Sequence, residues 1–208
     1  MTRGDRRRER TRQALIEAAQ RILVEQGTSN VPIQAITDAA DVGAGSFYNH
    51  FSTKEELFDA AVSAAIDAHS VWLDEALIGV NDPVEIFVTS FRLTTRVADT
   101  APAVAALFVH TGFARLASDE GLAPRALKDL ERASGEGAFA ISNPRLALAT
   151  TAGCLFAYMT LRLQDPPAVT QADADRMAED LLVMFGVARD EARALAARPL
   201  PVAGASGL

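Results

Sequence analysis

Apolar positions recur three and four apart along nearly the whole chain, and the register breaks wherever Gly, Pro or clustered polar residues interrupt it. That period belongs to consecutive amphipathic helices, and no strand-like alternation lasts more than a few residues. The pattern predicts an all-α protein. A first helix is expected over 10–26, with Leu15, Ala18, Ala19 and Ile22 inward and Gly27 as its stop. A short helix opens near Pro32 with Ile36 and Ala40 on one face, and Asp41-Val42-Gly43 turns the chain, Val42 plugging the angle between two crossing helices. A second short helix starts at Ala44, with Phe47 and Phe51 toward the core. Ser52-Thr53 and the acids Glu55 and Glu56 then cap a helix reaching about Leu77, whose inward stripe is Phe58, Val62, Ala65, His69 and Trp72. Further helices are predicted over 83–99, 102–118, 122–134 (ended by Gly135), 144–164, 171–185 (bounded by Gly186) and 190–197. The 144–164 helix is expected to be buried on every side, one of them against a second subunit, because its central turns are apolar or small all round.

The pair of short helices has the outline of a helix-turn-helix. On the second one, the side opposite Phe47 and Phe51 carries Gly45 and Asn49, with Ser46 and Tyr48 at its edges. Small residues let a backbone approach a major groove, and Asn and Ser hydrogen-bond base edges or phosphates. Ile33-x-x-Ile36, Ala40-x-Val42, Gly45-Ser46-Phe47-Tyr48-x-His50-Phe51 and Lys54-Glu55-x-Leu57 together resemble the signature of TetR-family transcriptional regulators, over residues 12–58. The resemblance implies a three-helix DNA-binding domain, an all-helical ligand-sensing body, and a homodimer acting on a palindromic operator. Family members usually carry Gly, Ser, a cation and Thr where this chain has Asp41, Gly43, Ala44 and Val31. Gly caps a helix less well than Ser, by roughly a few tenths of a kcal/mol, so a weaker or differently specified reading head is expected.

Charge changes the picture once it is divided along the chain. The net charge of −7 argues against a polyanion partner, but residues 1–58 hold eight basic and eight acidic side chains, leaving the whole deficit to the remainder. Arg3, Arg6, Arg7, Arg8, Arg10 and Arg12 precede the first apolar turn, against only Asp5 and Glu9, so the front end is oriented toward a polyanion. On composition alone this segment reads equally as a disordered arm. Lys54 is a cation at a helix start, which a DNA phosphate would answer. With 49% hydrophobic and 23% charged residues the chain has a soluble globular composition, long enough to bury a core. The longest uncharged apolar stretch, 146–161, is too short to cross a membrane, and Glu9, Gln13, Glu17 and Gln20 stand where a signal sequence would be apolar. With a lone Cys154 and no disulfide framework, a cytoplasmic location without membrane partners is expected.

Residues 1–53 are therefore expected to read DNA, 54–198 to bind ligand and dimerise, and 199–208 to form a disordered tail. Arg6, Arg7, Arg8, Tyr48, His50 and Lys54 are the candidate phosphate contacts; Gln34, Gly43, Ala44, Gly45, Ser46 and Asn49 form the turn and base-facing surface. No Arg or Lys lies on that surface, so bidentate guanine recognition comes from elsewhere or is absent. Ile66, His69, Trp72, Phe91, Thr95, His110, Phe113 and Arg115 combine rings and hydrogen-bonding groups as an effector pocket does. Leu148, Ala152, Leu155, Phe156, Met159, Met177, Leu181, Met184 and Phe185 are the expected dimer face, a four-helix bundle once doubled by a two-fold axis. His50, His69 and His110 lack metal-ligand spacing, no phosphate loop or nucleophile elbow occurs, and neither an enzyme, a metal nor a cofactor is expected. The expected function is a ligand-responsive repressor, released from a double-stranded operator by a small apolar or aromatic effector. An effector-independent regulator and a ligand-sequestering module with a decayed reading head are the alternatives.

Overall fold

A computed structural model describes residues 2–26, 29–116 and 121–201, and among them the secondary structure is wholly helical. The expected stop at Gly27 and the end of the 102–118 helix lie outside the described residues, as do residues 202–208 of the tail. The chain divides into two compact units, Met1–Ile66 and Asp67–Leu208.

The first unit holds α1 (Arg3–Gln26), α2 (Ile33–Ala39), α3 (Ala44–Phe47) and the opening of α4 (Lys54–Ala76). Its core joins Leu15, Ala18, Ala19 and Ile22 of α1 to Ile36, Phe47, Phe51, Leu57 and Phe58, all buried. Helix α1 begins well before the apolar stripe, because Thr2 and Asp5 cap it reciprocally: the Thr2 amide donates to Asp5 Oδ2 (2.8 Å) and the Asp5 amide to Thr2 Oγ1 (3.1 Å). The Arg-rich segment is thus helix, which corrects the reading of it as a disordered arm. Pro32 is the N-cap of α2, and Asp41 takes the left-handed conformation (φ 52°) that ends it. Thr53 Oγ1 accepts from the Glu56 amide (3.1 Å) at the start of α4, while Glu56 accepts from the Ser52 amide (2.7 Å).

Among the described residues, the second unit holds the rest of α4 and seven further helices: α5 (Pro83–Thr95), α6 (Val97–Thr100), α7 (Pro102–Arg115), α8 (Leu122–Gly135), α9 (Pro144–Gln164), α10 (Gln171–Met184) and α11 (Arg189–Ala196). The helix expected over 83–99 is therefore two. Thr94 and Thr95 turn their hydroxyls back onto the Ser90 and Arg92 carbonyls (2.8 and 2.6 Å), a competition that bends helices, and α5 ends there. Helix α8 runs through Gly135, and Gly137 takes the left-handed position beyond it (φ 74°). The core centres on Phe87, Phe139 and Phe185, whose ring centroids lie 5.4–5.5 Å apart. Gly186 closes this cluster: at φ 95°, with any Cβ 2.7 Å from Ala140 Cβ, only glycine fits.

Helix α9 buries Ala147, Leu148, Ala152, Phe156, Tyr158 and Met159 but leaves Leu146 and Leu161 exposed (65% and 47%). Within the single chain one face packs, and the other, the side expected to meet a second subunit, is small, apolar and open. By length and composition alone α9 also passes for a membrane span, with a mean hydropathy of 1.4, which corrects the view that no run is long enough. Its packed face is that of a core helix in a helical domain.

Candidate functional site

Phe47 anchors α3 from inside the first unit, fully buried, with its ring 6.1 Å from Phe51 and edge-on to Tyr48 at 5.2 Å. Around α3, Gly43, Ala44, Gly45, Tyr48 and Asn49 are exposed, and Ser46 and His50 half-buried, so apart from the Tyr48 ring the open surface is small or polar. Gly45 is informative because a Cβ there meets nothing within 4 Å, and its φ lies outside the left-handed region. Neither packing nor backbone geometry calls for glycine in this helix, where it costs about 1 kcal/mol relative to alanine.

The opening turns of α1 run beside this surface. Arg8 Nη2 donates to the Asn49 carbonyl (3.3 Å), and Gly4, Arg7, Arg8, Thr11, Ser46, Asn49 and His50 line an open groove of about 510 Å³. Arg3, Arg7, Arg10, Thr11, Ala14, Ala40, Asp41 and Val42 line a second groove of about 710 Å³ at the helix-turn-helix turn. Arg6 is exposed on α1, its carbonyl accepting from Arg10 Nε (3.3 Å). Burial, and then the Arg8 and Arg12 cations, hold the His50 pKa below its ordinary value. Its ring is therefore neutral near pH 7, in a setting that an anion would relax. Two expected contacts are engaged internally. Lys54 Nζ donates to the Val31 carbonyl (3.1 Å), which orients the side chain and leaves its charge in place, and the Gln34 amide donates to Asp38 (2.7 Å).

In the second unit, His69 is 1% exposed, with Nε2 3.0 Å from Thr94 Oγ1, its ring stacked on Trp72 (5.3 Å, 28°) and edge-on to Phe108 (6.1 Å). Burial and the nearby Arg125 cation hold its pKa at about 4. Arg125, half-buried, donates to Asp74 (2.8 Å) and to Ser90 Oγ (3.5 Å), and pairs with Asp129 at 3.6 Å. Asp129 is itself pushed above the usual carboxylate range by burial, which Arg125 only partly offsets. Of the expected pocket, then, the structure brings together His69 and Trp72. Phe91 and Thr95 are core, Ile66 is buried in the first unit, His110 and Phe113 are exposed, and Arg115 is half-buried. Sequence reasoning missed Thr94, Phe108 and the Asp74–Arg125–Asp129 group. Spacing did place Thr94 on one face of its helix with Phe87 and Phe91, and set Arg125 and Asp129 one helical turn apart.

The expected dimer face is mostly interior. Leu148, Ala152, Phe156, Met159, Leu181 and Phe185 are buried within the single chain, Leu155 and Met177 are half-buried, and Met184 is exposed. The apolar stripes of α9 and α10 largely close this chain's own core, leaving Leu155, Met177 and Met184 of the expected face at least partly open.

This arrangement of a helix-turn-helix unit and a separate helical body has a match in known proteins. Residues 15–61 match the family described as "Bacterial regulatory proteins, tetR family", and residues 82–198 match "Tetracyclin repressor-like, C-terminal domain". The chain belongs to the TetR family of helix-turn-helix transcriptional regulators, DNA-binding and ligand-binding proteins. Among solved structures it is similar to RolR in complex with resorcinol, at 34% identity over 96% of this chain and 99% of that one, with a TM-score of 0.79. Against RolR without ligand the identity is 33% and the TM-score 0.76, over 91% and 98% of the two chains. It is 50% identical over 44 residues to the transcriptional repressor DhaR of Mycobacterium sp. (strain GP1), covering 21% of this chain and 22% of DhaR. It is 31% identical over 87 residues to the transcriptional regulator TcmR of Streptomyces glaucescens, covering 42% of this chain and 38% of TcmR. The chain thus aligns with less than half the length of these two curated relatives.

Proposed function

We propose that this protein is a cytoplasmic repressor that binds a palindromic double-stranded operator as a homodimer and is released by a small aromatic effector. The observation that carries the DNA reading is Gly45, a helical glycine that neither packing nor backbone requires, on an exposed surface beside the α1 arginines. A close approach by an outside surface accounts for it, with α3 in the major groove and the α1 arginines on phosphates. Residues 1–53 read the operator, and residues 54–198 bind effector and dimerise. The reading helices of a dimer then enter successive major grooves about 34–36 Å apart. The open face of α9, with Leu146, Ala149, Gly153, Ala157 and Leu161, supplies the subunit contact in place of the buried residues. The effector acts by binding the DNA-free form more tightly than the bound form.

The test is selection of random duplex DNA by the purified protein, then anisotropy of the enriched sequence across a salt series, with and without resorcinol, the compound in the related RolR complex. A palindrome is expected to be enriched, its log affinity falling with log salt by about 0.9 per phosphate neutralised, and to be released by aromatic effectors. Weak binding shared by all sequences would overturn the repressor reading in favour of a ligand-sequestering one. A specific complex indifferent to every effector tried would leave an effector-independent regulator.

A further inference from the structure

His69 has one ring nitrogen engaged and the other buried without a protein partner. The engaged one, Nε2, lies 3.0 Å from Thr94 Oγ1, and the single hydrogen of that hydroxyl is directed to the Ser90 carbonyl at 2.8 Å. The Thr94 oxygen must therefore accept, so Nε2 carries the proton and donates. A neutral imidazole protonated at Nε2 has its lone pair at Nδ1. Nδ1 is the buried side-chain polar atom with no protein partner among the described residues. The neighbouring groups cannot supply the missing proton. Trp72 and Phe108 present rings, Thr94 has spent its hydrogen, and Arg125 donates to Asp74 and Ser90 and pairs with Asp129. The large majority of buried acceptors in native proteins are hydrogen-bonded, so one without a protein donor points to a donor from outside the chain.

We infer that His69 Nδ1 anchors the effector, accepting a hydrogen bond from the hydroxyl of a neutral aromatic alcohol whose ring lies against Trp72 and Phe108. This rests on the effector-responsive reading above and narrows it to one chemical class. A carboxylate has no hydrogen to give, and Arg125 already meets two carboxylates. An ether of the same ring fills the same space but leaves Nδ1 unpaired. An ammonium group has a hydrogen to give but is repelled by Arg125, whose cation already acts on His69.

Trp72, the chain's single tryptophan, stacks on the His69 ring and reports occupancy. The full-length protein is titrated with phenols, their methyl ethers (phenol against anisole as the first pair) and benzoate, following Trp72 fluorescence excited beyond the phenol band. Each phenol is expected to bind about tenfold or more tightly than its ether, and benzoate not at all. The preference should vanish in His69→Leu and survive in His69→Gln, whose amide oxygen still accepts; circular dichroism checks that both variants fold. Where a variant does not fold, the wild-type comparison of phenol with ether decides alone. Equal affinity for phenol and ether, or no Trp72 response to any phenol, overturns the inference. Neither result touches the effector-responsive reading, which fails only if the selected DNA complex also survives a broad panel of ligands of other classes.

Discussion

The two units use the same residue, arginine, in opposite ways. In the body, arginines meet carboxylates: Arg92 Nε lies 2.8 Å from Asp175 Oδ1, Arg96 2.6 Å from the same oxygen, Arg162 2.7 Å from Asp99, and Arg198 2.7 Å from Glu85. Arg92 is nearly sealed in, its side chain 6% exposed, with Nη1 on the Arg198 carbonyl (2.7 Å). In the reading unit, the arginine hydrogen bonds among the described residues go to neutral groups. Arg8 donates to the Asn49 carbonyl, Arg10 to Arg6 and Arg21 to Ala39, and the Arg12 guanidinium lies 5.3 Å from the Phe51 ring centre. A carboxylate partner cancels the field of a guanidinium, whereas a carbonyl or ring orients the side chain and leaves its charge in place. A chain of net charge −7 can in this way keep a cationic edge on one unit. The histidines divide similarly. His50 is half-buried beside the α1 cations, while His69 is shut into an aromatic setting as a neutral ring.

The contrast breaks most sharply with a pair of substitutions. Phe87→Ala opens the three-ring core of the body and is expected to cost about 3–5 kcal/mol. Gly45→Leu should leave thermal stability within about 1 kcal/mol while weakening operator binding by about tenfold or more, because a side chain in open space obstructs only an incoming surface. Urea unfolding followed by Trp72 fluorescence, with anisotropy on the selected DNA, checks both. Loss of stability in Gly45→Leu would return that glycine to a packing role.

Acid comes next. Between the ordinary histidine pKa of 6.5 and the folded value of about 4, the unfolded chain binds a proton at residue 69 that the folded chain does not. Stability should therefore fall as pH drops through that window, by about 3 kcal/mol at most. Asp129 opposes it, since a raised folded pKa lets the native state take up its proton first and regain stability in acid. Urea unfolding between neutral pH and the low end of the window measures the slope, and His69→Leu should flatten it.

Removing Arg7 and Arg8 together by alanine should leave stability within about 0.5 kcal/mol. If both neutralise phosphates, the salt dependence of operator binding becomes shallower by about 1.8 log units per log salt. An unchanged slope would return these cations to a solvated helix face. The smallest effect expected is at Asp41, held left-handed at φ 52°. Asp41→Gly should stabilise the reading unit by about 0.5–1 kcal/mol, which differential calorimetry would register as a raised transition.

Local pattern determined a good deal. The three-to-four period marked the helices, and Asn143-Pro144 at one end and Asp165-Pro166-Pro167 at the other gave α9 its bounds of Pro144–Gln164. The small, polar side of α3 was legible because it depends only on helical geometry and residue size. The early start of α1 was also written locally, in Thr2-x-x-Asp5, but it lies where no apolar stripe draws attention. What only the tertiary structure decided was which partner each group meets. The apolar stripes of α9 and α10 serve a core or a subunit interface equally well by period, and the surrounding helices assigned Phe156, Met159 and Leu181 to the core. Lys54 found a carbonyl, Arg92 a carboxylate eighty-three residues away, and His69 a hydroxyl already committed elsewhere. Periodicity records which side of a helix is apolar, because that is set within a few turns. Hydrogen-bond and ion-pair partners are set by which helices fold against one another, and no local spacing carries that information.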